Sequence, residues 1–206
     1  MRYYVKVSKS DDHARNEVLA SKLYALAGVP AVHAELVEHN GRLATASLWI
    51  EGTVQDLGSR LANADSGYLA QVRQGFIIDA WLANWDVAGL VYDNIVSTPE
   101  DTPLRVDTGG CLFFRAMGYR KGSAFNDEAS EFDTLRDFET APQAAHLFAR
   151  ITNTEMIASA LKLAMISDQQ IAETVESVGF HVLTAAQLIM KLCARRTALL
   201  ERVTNI

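Results

Sequence analysis

Residues 84–94 read Asn84-Trp85-Asp86-Val87-Ala88-Gly89-Leu90-Val91-Tyr92-Asp93-Asn94, and residues 105–110 read Arg105-Val106-Asp107-Thr108-Gly109-Gly110. The first stretch is irregular and polar at its ends. It follows a segment, 67–84, whose apolar stripe through Leu69, Phe76, Ile77, Ala80 and Trp81 predicts a helix. The second closes two short strands expected at about 95–98 and 103–107, joined by a Pro-containing turn, and Gly109-Gly110 breaks the chain.

Working outward, Tyr3-Tyr4-Val5-Lys6-Val7-Ser8 reads as a strand, rich in aromatic and β-branched residues. Ser10-Asp11-Asp12 marks a helix start, with acidic side chains near the positive end of the helix dipole. Val18, Leu19, Leu23 and Leu26 continue it at helical spacing to a stop at Gly28 and Pro30. Strands are expected over 31–38 and 42–50, with Asn40-Gly41 as a hairpin turn. Further helices are expected over 54–64, 139–151, 154–166, 168–178 and 183–203, with Thr154 and Ser167 as N-caps and Gly179 as a stop. A loop rich in Gly, Arg and Lys runs to about 127. The sum is an α+β chain: a small lobe (1–50), a hinge (51–53) and a mainly helical lobe (54–206).

Composition narrows the function classes. The chain has 206 residues, 49% apolar and 21% charged, which is a globular balance and excludes a disordered chain. A net charge of -6 argues against a general nucleic-acid binder. No apolar run approaches the roughly 20 residues that span a bilayer. The segment Met1–Lys6 lacks the apolar core of a secretory signal, and Cys111 and Cys193 lack metal-ligand spacing, so a reduced, cytoplasmic setting is expected.

A strand lysine (Lys6), a helix glutamate (Glu17), a loop aspartate and asparagine (Asp86, Asn94) and an aspartate before glycine (Asp107) together make the parts list of a phosphoryl-transfer enzyme. In order and spacing the chain resembles the protein-kinase-like superfamily. Its catalytic stretches are most similar to atypical branches: actin-fragmin kinase, phosphatidylinositol 3/4-kinases and Hip-type bacterial toxin kinases. The resemblance covers residues 4 to about 115 and implies a bilobal kinase-like fold with a truncated small β lobe. It further implies ATP and Mg²⁺ as cofactors, with Lys6 on the α/β-phosphates and Glu17 orienting Lys6 through an ion pair. Asp107 and Asn94 would be metal ligands, and Trp49, Ile50 and Glu51 would meet the adenine at the hinge. Asp86 would receive the proton of the attacking hydroxyl. Asp93 is the alternative base, but it abuts Asn94 and is assigned to the metal. The implied activity is transfer of phosphoryl to a hydroxyl, with a protein Ser/Thr as the first choice of acceptor. The alternatives are a lipid or small-molecule kinase, a nucleotidyltransferase, or a pseudokinase serving as a nucleotide-binding or protein-interaction module. A bacterial effector or toxin role follows from the resemblance alone.

Read singly, each residue has a plainer meaning. Lys6 fits an edge-strand surface position, Glu17 a solvated helix face, and Asp93-Asn94 and Asp107-Thr108-Gly109 fit turns. Their joint order carries the reading. The departure is at the start: the resemblance implies a Gly-rich phosphate loop before the lysine strand, and the sequence begins only five residues before Lys6. Ser8-Lys9-Ser10, or a backbone nest at Gly109-Gly110, are the candidates for that task. Arg115, Arg120 and Lys121 occupy the activation-segment position, either binding an acidic substrate or a phosphate or forming a solvated loop. The five histidines are expected at the surface or as caps. The last helix is expected to pack through Leu188, Leu192 and Leu199 and to expose Arg195-Arg196.

Overall fold

The computed structural model describes residues 2–206; Met1 lies outside them. Strand β1 (Tyr3–Lys6) leads into helix α1 (Asp11–Leu26), whose N-cap Ser10 accepts a hydrogen bond from the His13 amide. Strands β2 (Ala34–His39) and β3 (Arg42–Leu48) follow. Asn40 and Gly41 both have positive φ (52° and 71°), the twist that a two-residue hairpin demands. The sheet is antiparallel in the order β1-β3-β2, with Lys6 opposite Thr45. α1 packs across β2 and β3 and leaves β1 as an outer strand.

The helical part begins with α2 (Leu57–Ala62), α3 (Ser66–Arg73) and α4 (Phe76–Trp81). The single helix expected over 67–84 is therefore two, broken at Gln74-Gly75. Arg105 explains the break: its guanidinium donates to the Val72 carbonyl (3.1 Å), and a Cβ at Gly75 would lie 2.2 Å from its Nη2. The helix expected from 54 starts later because Val54 is paired with Ser97. Strands β4 (Ile95–Ser97) and β5 (Pro103–Arg105) form a second, two-stranded sheet. The chain at 30–32 bonds to Arg105, so Ala31 bridges the two sheets rather than opening β2.

Helices α5 (Glu131–Thr134), α6 (Pro142–Phe148), α7 (Asn153–Ala164), α8 (Asp168–Glu176) and α9 (Val182–Thr204) complete the fold. α6 is shorter than expected because Pro142 sets its first turn. The N-cap of α7 is Thr152, not Thr154: Thr152 and Glu155 form a reciprocal capping box. Ser167 caps α8 as expected, and Gly179 (φ 77°) ends it. The core centres on Phe76, Trp81, Phe132 and Phe148. Among the described residues no helix is long and apolar enough to cross a membrane.

Two buried ion pairs hold this part together. Arg105 Nη2 lies 2.5 Å from Asp79 Oδ2, with both side chains at most 2% exposed. Tyr24 Oη donates to Asp79 Oδ1 (2.7 Å), and Asn84 donates to Tyr24 Oη (2.8 Å). Arg195, which was expected in solvent, is fully buried. It donates to Glu131 Oε2 (2.6 Å) and to the carbonyls of Trp81 (2.8 Å) and Ala80 (2.6 Å) at the end of α4, where the Ala80 carbonyl also accepts from the Ala83 amide.

Replacing one partner of a buried pair strands the other charge. Asp79→Ala is expected to cost about 3–5 kcal/mol in urea unfolding, whereas Asp79→Leu with Arg105→Met recovers most of the loss. A single-variant loss under about 1 kcal/mol would show that the pair is not a structural strut.

Candidate active site

A cleft of about 670 Å³ lies between the first sheet and the β4–β5 sheet. Its apolar end includes Trp49, Ile50, Val96 and Leu104, and its polar end is built on Lys6. Side chains two apart in a strand share a face, so Tyr4 and Lys6 both reach the cleft. Lys6 Nζ lies 2.9 Å from Glu17 Oε2 and 2.7 Å from Asp107 Oδ1. Burial pushes the Lys6 pKa down, but the carboxylates of Glu17 and Asp107 more than offset it, and the net shift is upward. Glu17 is also shifted upward, because burial outweighs the pull of Lys6. The asymmetry follows exposure: the Glu17 side chain is 5% exposed and that of Lys6 27%.

α1 presents more than Glu17. His13, Asn16 and Glu17 share one helical face. Asn16 donates to the carbonyls of Cys111 (2.9 Å) and Gly109 (3.4 Å) and accepts from the Phe113 amide. His13 Nε2 is 3.3 Å from the Gly109 carbonyl, its ring stacks on Phe114, and burial lowers its pKa. Thr108 Oγ1 donates to the Glu17 carbonyl (3.1 Å). The loop behind Asp107 is therefore gripped by α1. Asp107 itself is left-handed (φ 50°, ψ 60°), a conformation that costs a non-glycine residue about 1–3 kcal/mol and is held only by its surroundings.

The 84–94 loop is folded back on itself. Gly89 has φ 73°, and a Cβ there would lie 2.1 Å from Asp93 Oδ1. This fold returns Asn94 to Asp86: Asn94 Nδ2 donates to the Asp86 carbonyl (2.7 Å) and to Asp86 Oδ2 (3.1 Å). Both partners are acceptors, so the amide orientation is fixed and Asn94 Oδ1 is left for another ligand. Burial raises the Asp86 pKa; the Asn94 bond opposes this, and Asp107 and Asp93 add to it. Trp85 Nε1 donates to Glu131 Oε1 (2.7 Å) and anchors the loop to α5.

Each residue of the expected set can now be placed. Lys6, Glu17 and Asp107 meet directly. Asp93, Asn94, Trp49 and Ile50 line the same cleft. Asp86 is half-buried behind Asn94, outside the cleft lining. The Glu51 side chain points to solvent, 3.8 Å from Arg2, and Glu51 is not among the residues that line the cleft. Ser10 spends its hydroxyl on capping α1. Lys121 and His13 are buried, contrary to expectation. Sequence reasoning missed Asn16 and His13; their spacing of one and four residues from Glu17 was the available signal.

No protein-family model matches the sequence, and no curated protein matches it. In structure the chain is similar to a proinflammatory kinase, CtkA, from Helicobacter pylori. The TM-score is 0.66 at 12% identity, over 99% of this chain and 88% of that chain. The fold is thus kinase-like and bilobal, a small sheet with its helix against a larger helical part.

Asn16→Ala removes the donor to two loop carbonyls and the acceptor for Phe113. The variant is expected to lose about 1–3 kcal/mol in urea unfolding. An unchanged midpoint would show that α1 does not hold the Asp107 loop.

Proposed function

We propose that this chain is an ATP- and Mg²⁺-dependent phosphotransferase acting on a hydroxyl acceptor, with a protein Ser or Thr as that acceptor. The observation that carries the reading is the convergence of Glu17 and Asp107 on Lys6 at the polar end of a cleft whose other end is apolar. A nucleotide has the same polarity, with a flat apolar base and an anionic tail. In this reading Trp49 and Ile50 pack the base, Lys6 binds phosphate oxygens, and Glu17 keeps Lys6 aimed when they bind.

The donor set fits Mg²⁺. Among the described residues no three His, Cys, Asp or Glu side chains form a ready cage. Mg²⁺ does not need one, since it takes one or two carboxylates and completes its shell with phosphate oxygens and water. Asp107, Asn94 Oδ1 and Asp93 would hold it. When bound it would neutralise phosphate charge and help to align the group in transfer. Asp86, half-buried and oriented by Asn94, takes the proton from the attacking hydroxyl. Leu90 and Val91, 78% and 72% exposed within the 84–94 loop, offer a polypeptide an apolar surface. Both cysteines are free, which supports residence in the cytoplasm.

Calorimetry with Mg²⁺ and ATP is expected to show binding to the wild type and none to Asp107→Ala; binding retained in the variant would refute the metal assignment. Because the Asp86 pKa is raised, the acid limb of the transfer rate is expected above the ordinary aspartate range. Transfer that survives Asp86→Ala but is lost in Asp93→Ala would move the base to Asp93.

A further inference from the structure

Lys121 sits in the segment between the Asp107 loop and α5, yet its residue is only 5% exposed. Its ammonium donates to the carbonyls of Ala83 (2.7 Å), Gly110 (2.7 Å) and Leu112 (3.1 Å), which uses all its N–H groups. Ala83 and Leu112 are both left-handed, with φ 51° and 52°. Ala83 immediately precedes Asn84-Trp85-Asp86, and Gly110 and Leu112 close the loop that begins at Asp107. The Leu112 amide also donates to the Leu82 carbonyl, and the Lys121 amide to the Phe113 carbonyl (2.8 Å). Nζ lies 4.9 Å from the centre of the Trp85 ring. One cation thus joins the root of the Asp86 loop to the far end of the Asp107 loop.

We propose that Lys121 is a positioning residue that sets the spacing of Asp86 and Asp107 for phosphoryl transfer. The proposal deepens the functional reading above and rests on it. Lys121 acts on neither nucleotide nor acceptor. Its contribution is geometric, and an error of about 1 Å between reacting groups is enough to cost about 100-fold in rate.

The surroundings give the clamp a pH signature. Burial lowers the Lys121 pKa to about 7; Cys111 and Glu131 oppose this, and Arg195 and Arg115 add to it. Of these, Cys111 is a thiol pushed up to about 12 by burial, and Glu131 is already bound to Arg195. A neutral amine has too few N–H groups for the three carbonyls, so the junction loosens as pH rises through about 7. Global stability moves the other way. The folded pKa lies below the unfolded value of 10.5, so between about 7 and 10.5 the unfolded chain binds more protons. This group's contribution to stability therefore rises with pH in that window. Turnover falling while stability rises separates positioning from simple support of the fold.

The test is Lys121→Met, which keeps the stem and removes the donors, in the full chain. The variant is expected to keep Mg²⁺–ATP affinity within about threefold while turnover drops by about 100-fold. Hydrogen exchange should lose protection at both 83–86 and 110–112, and the alkaline decline of the wild-type rate should disappear. Turnover within about threefold of wild type, with exchange unchanged at both loops, overturns the proposal. A wild type that neither binds nor turns over ATP would sink the functional reading instead, and the exchange pattern would still decide whether the clamp exists. Where Lys121→Met fails to fold, Lys121→Arg replaces it, since a planar guanidinium keeps the charge but does not reproduce the three bonds; exchange unchanged at both loops and turnover within about threefold of wild type then overturn the proposal.

Discussion

The ammonium of Lys6 has to reach two carboxylates delivered by separate parts of the chain: Glu17 from α1 and Asp107 from the loop after β5. Neither carboxylate is close to Lys6 in sequence, so the contact exists only if β1, α1 and the β5 end are all in place. The rest of the small lobe serves that requirement. The hairpin at Asn40-Gly41 fixes the β2–β3 pair, β3 fixes β1 in register, and α1 lies across the sheet to aim Glu17. The His13 and Asn16 contacts then tie the Asp107 loop to the same helix. The three side chains are therefore held together by the protein's own strand register, helix placement and loop contacts.

The larger part solves a different problem. Its loops are sharply bent, and the carbonyls at the bends keep at most a short-range turn bond of their own. Buried cations supply further donors. Arg105 takes Val72 at the α3–α4 break, Arg195 takes Ala80 and Trp81 at the end of α4, and Lys121 takes Ala83, Gly110 and Leu112 just beyond. Three cations therefore line the path from the start of α4 to the Asp86 loop. Each unmade bond to a buried carbonyl would cost about 1–3 kcal/mol, so these side chains define the loop shape as much as the apolar core does.

This division explains what could be read from the amino-acid order. The hairpin, α1 and the long terminal helices rest on local chemistry: Asn-Gly turns, capping residues and apolar spacing. The order of Lys6, Glu17, Asp86, Asn94 and Asp107 suggested one shared site, and the structure brings Lys6, Glu17 and Asp107 into direct contact, with Asn94 bonded to Asp86. Arg105, Lys121 and Arg195 were not legible, since a basic residue in a loop or on a helix looks the same whether it meets water or a carbonyl. The break at Gly75 was hidden for the same reason: it depends on Arg105, thirty residues away. His13 and Asn16 lay between, visible as neighbours of Glu17 on one helical face but without a local sign of what they touch.

The two arrangements meet at Asp107. Its carboxylate is paired with Lys6, yet it is half exposed and rests on a left-handed backbone, so it is held in place rather than buried. Glu17 is the opposite, buried and committed. A ligand that competes for Asp107 would leave Lys6 still charged and still oriented by Glu17, with its remaining donors free to turn toward an anion. The unequal burial of the two carboxylates thus gives the site a fixed partner and an exchangeable one. That is the property a cleft needs if one lysine is to be neutralised before a polyanion arrives and available once it has.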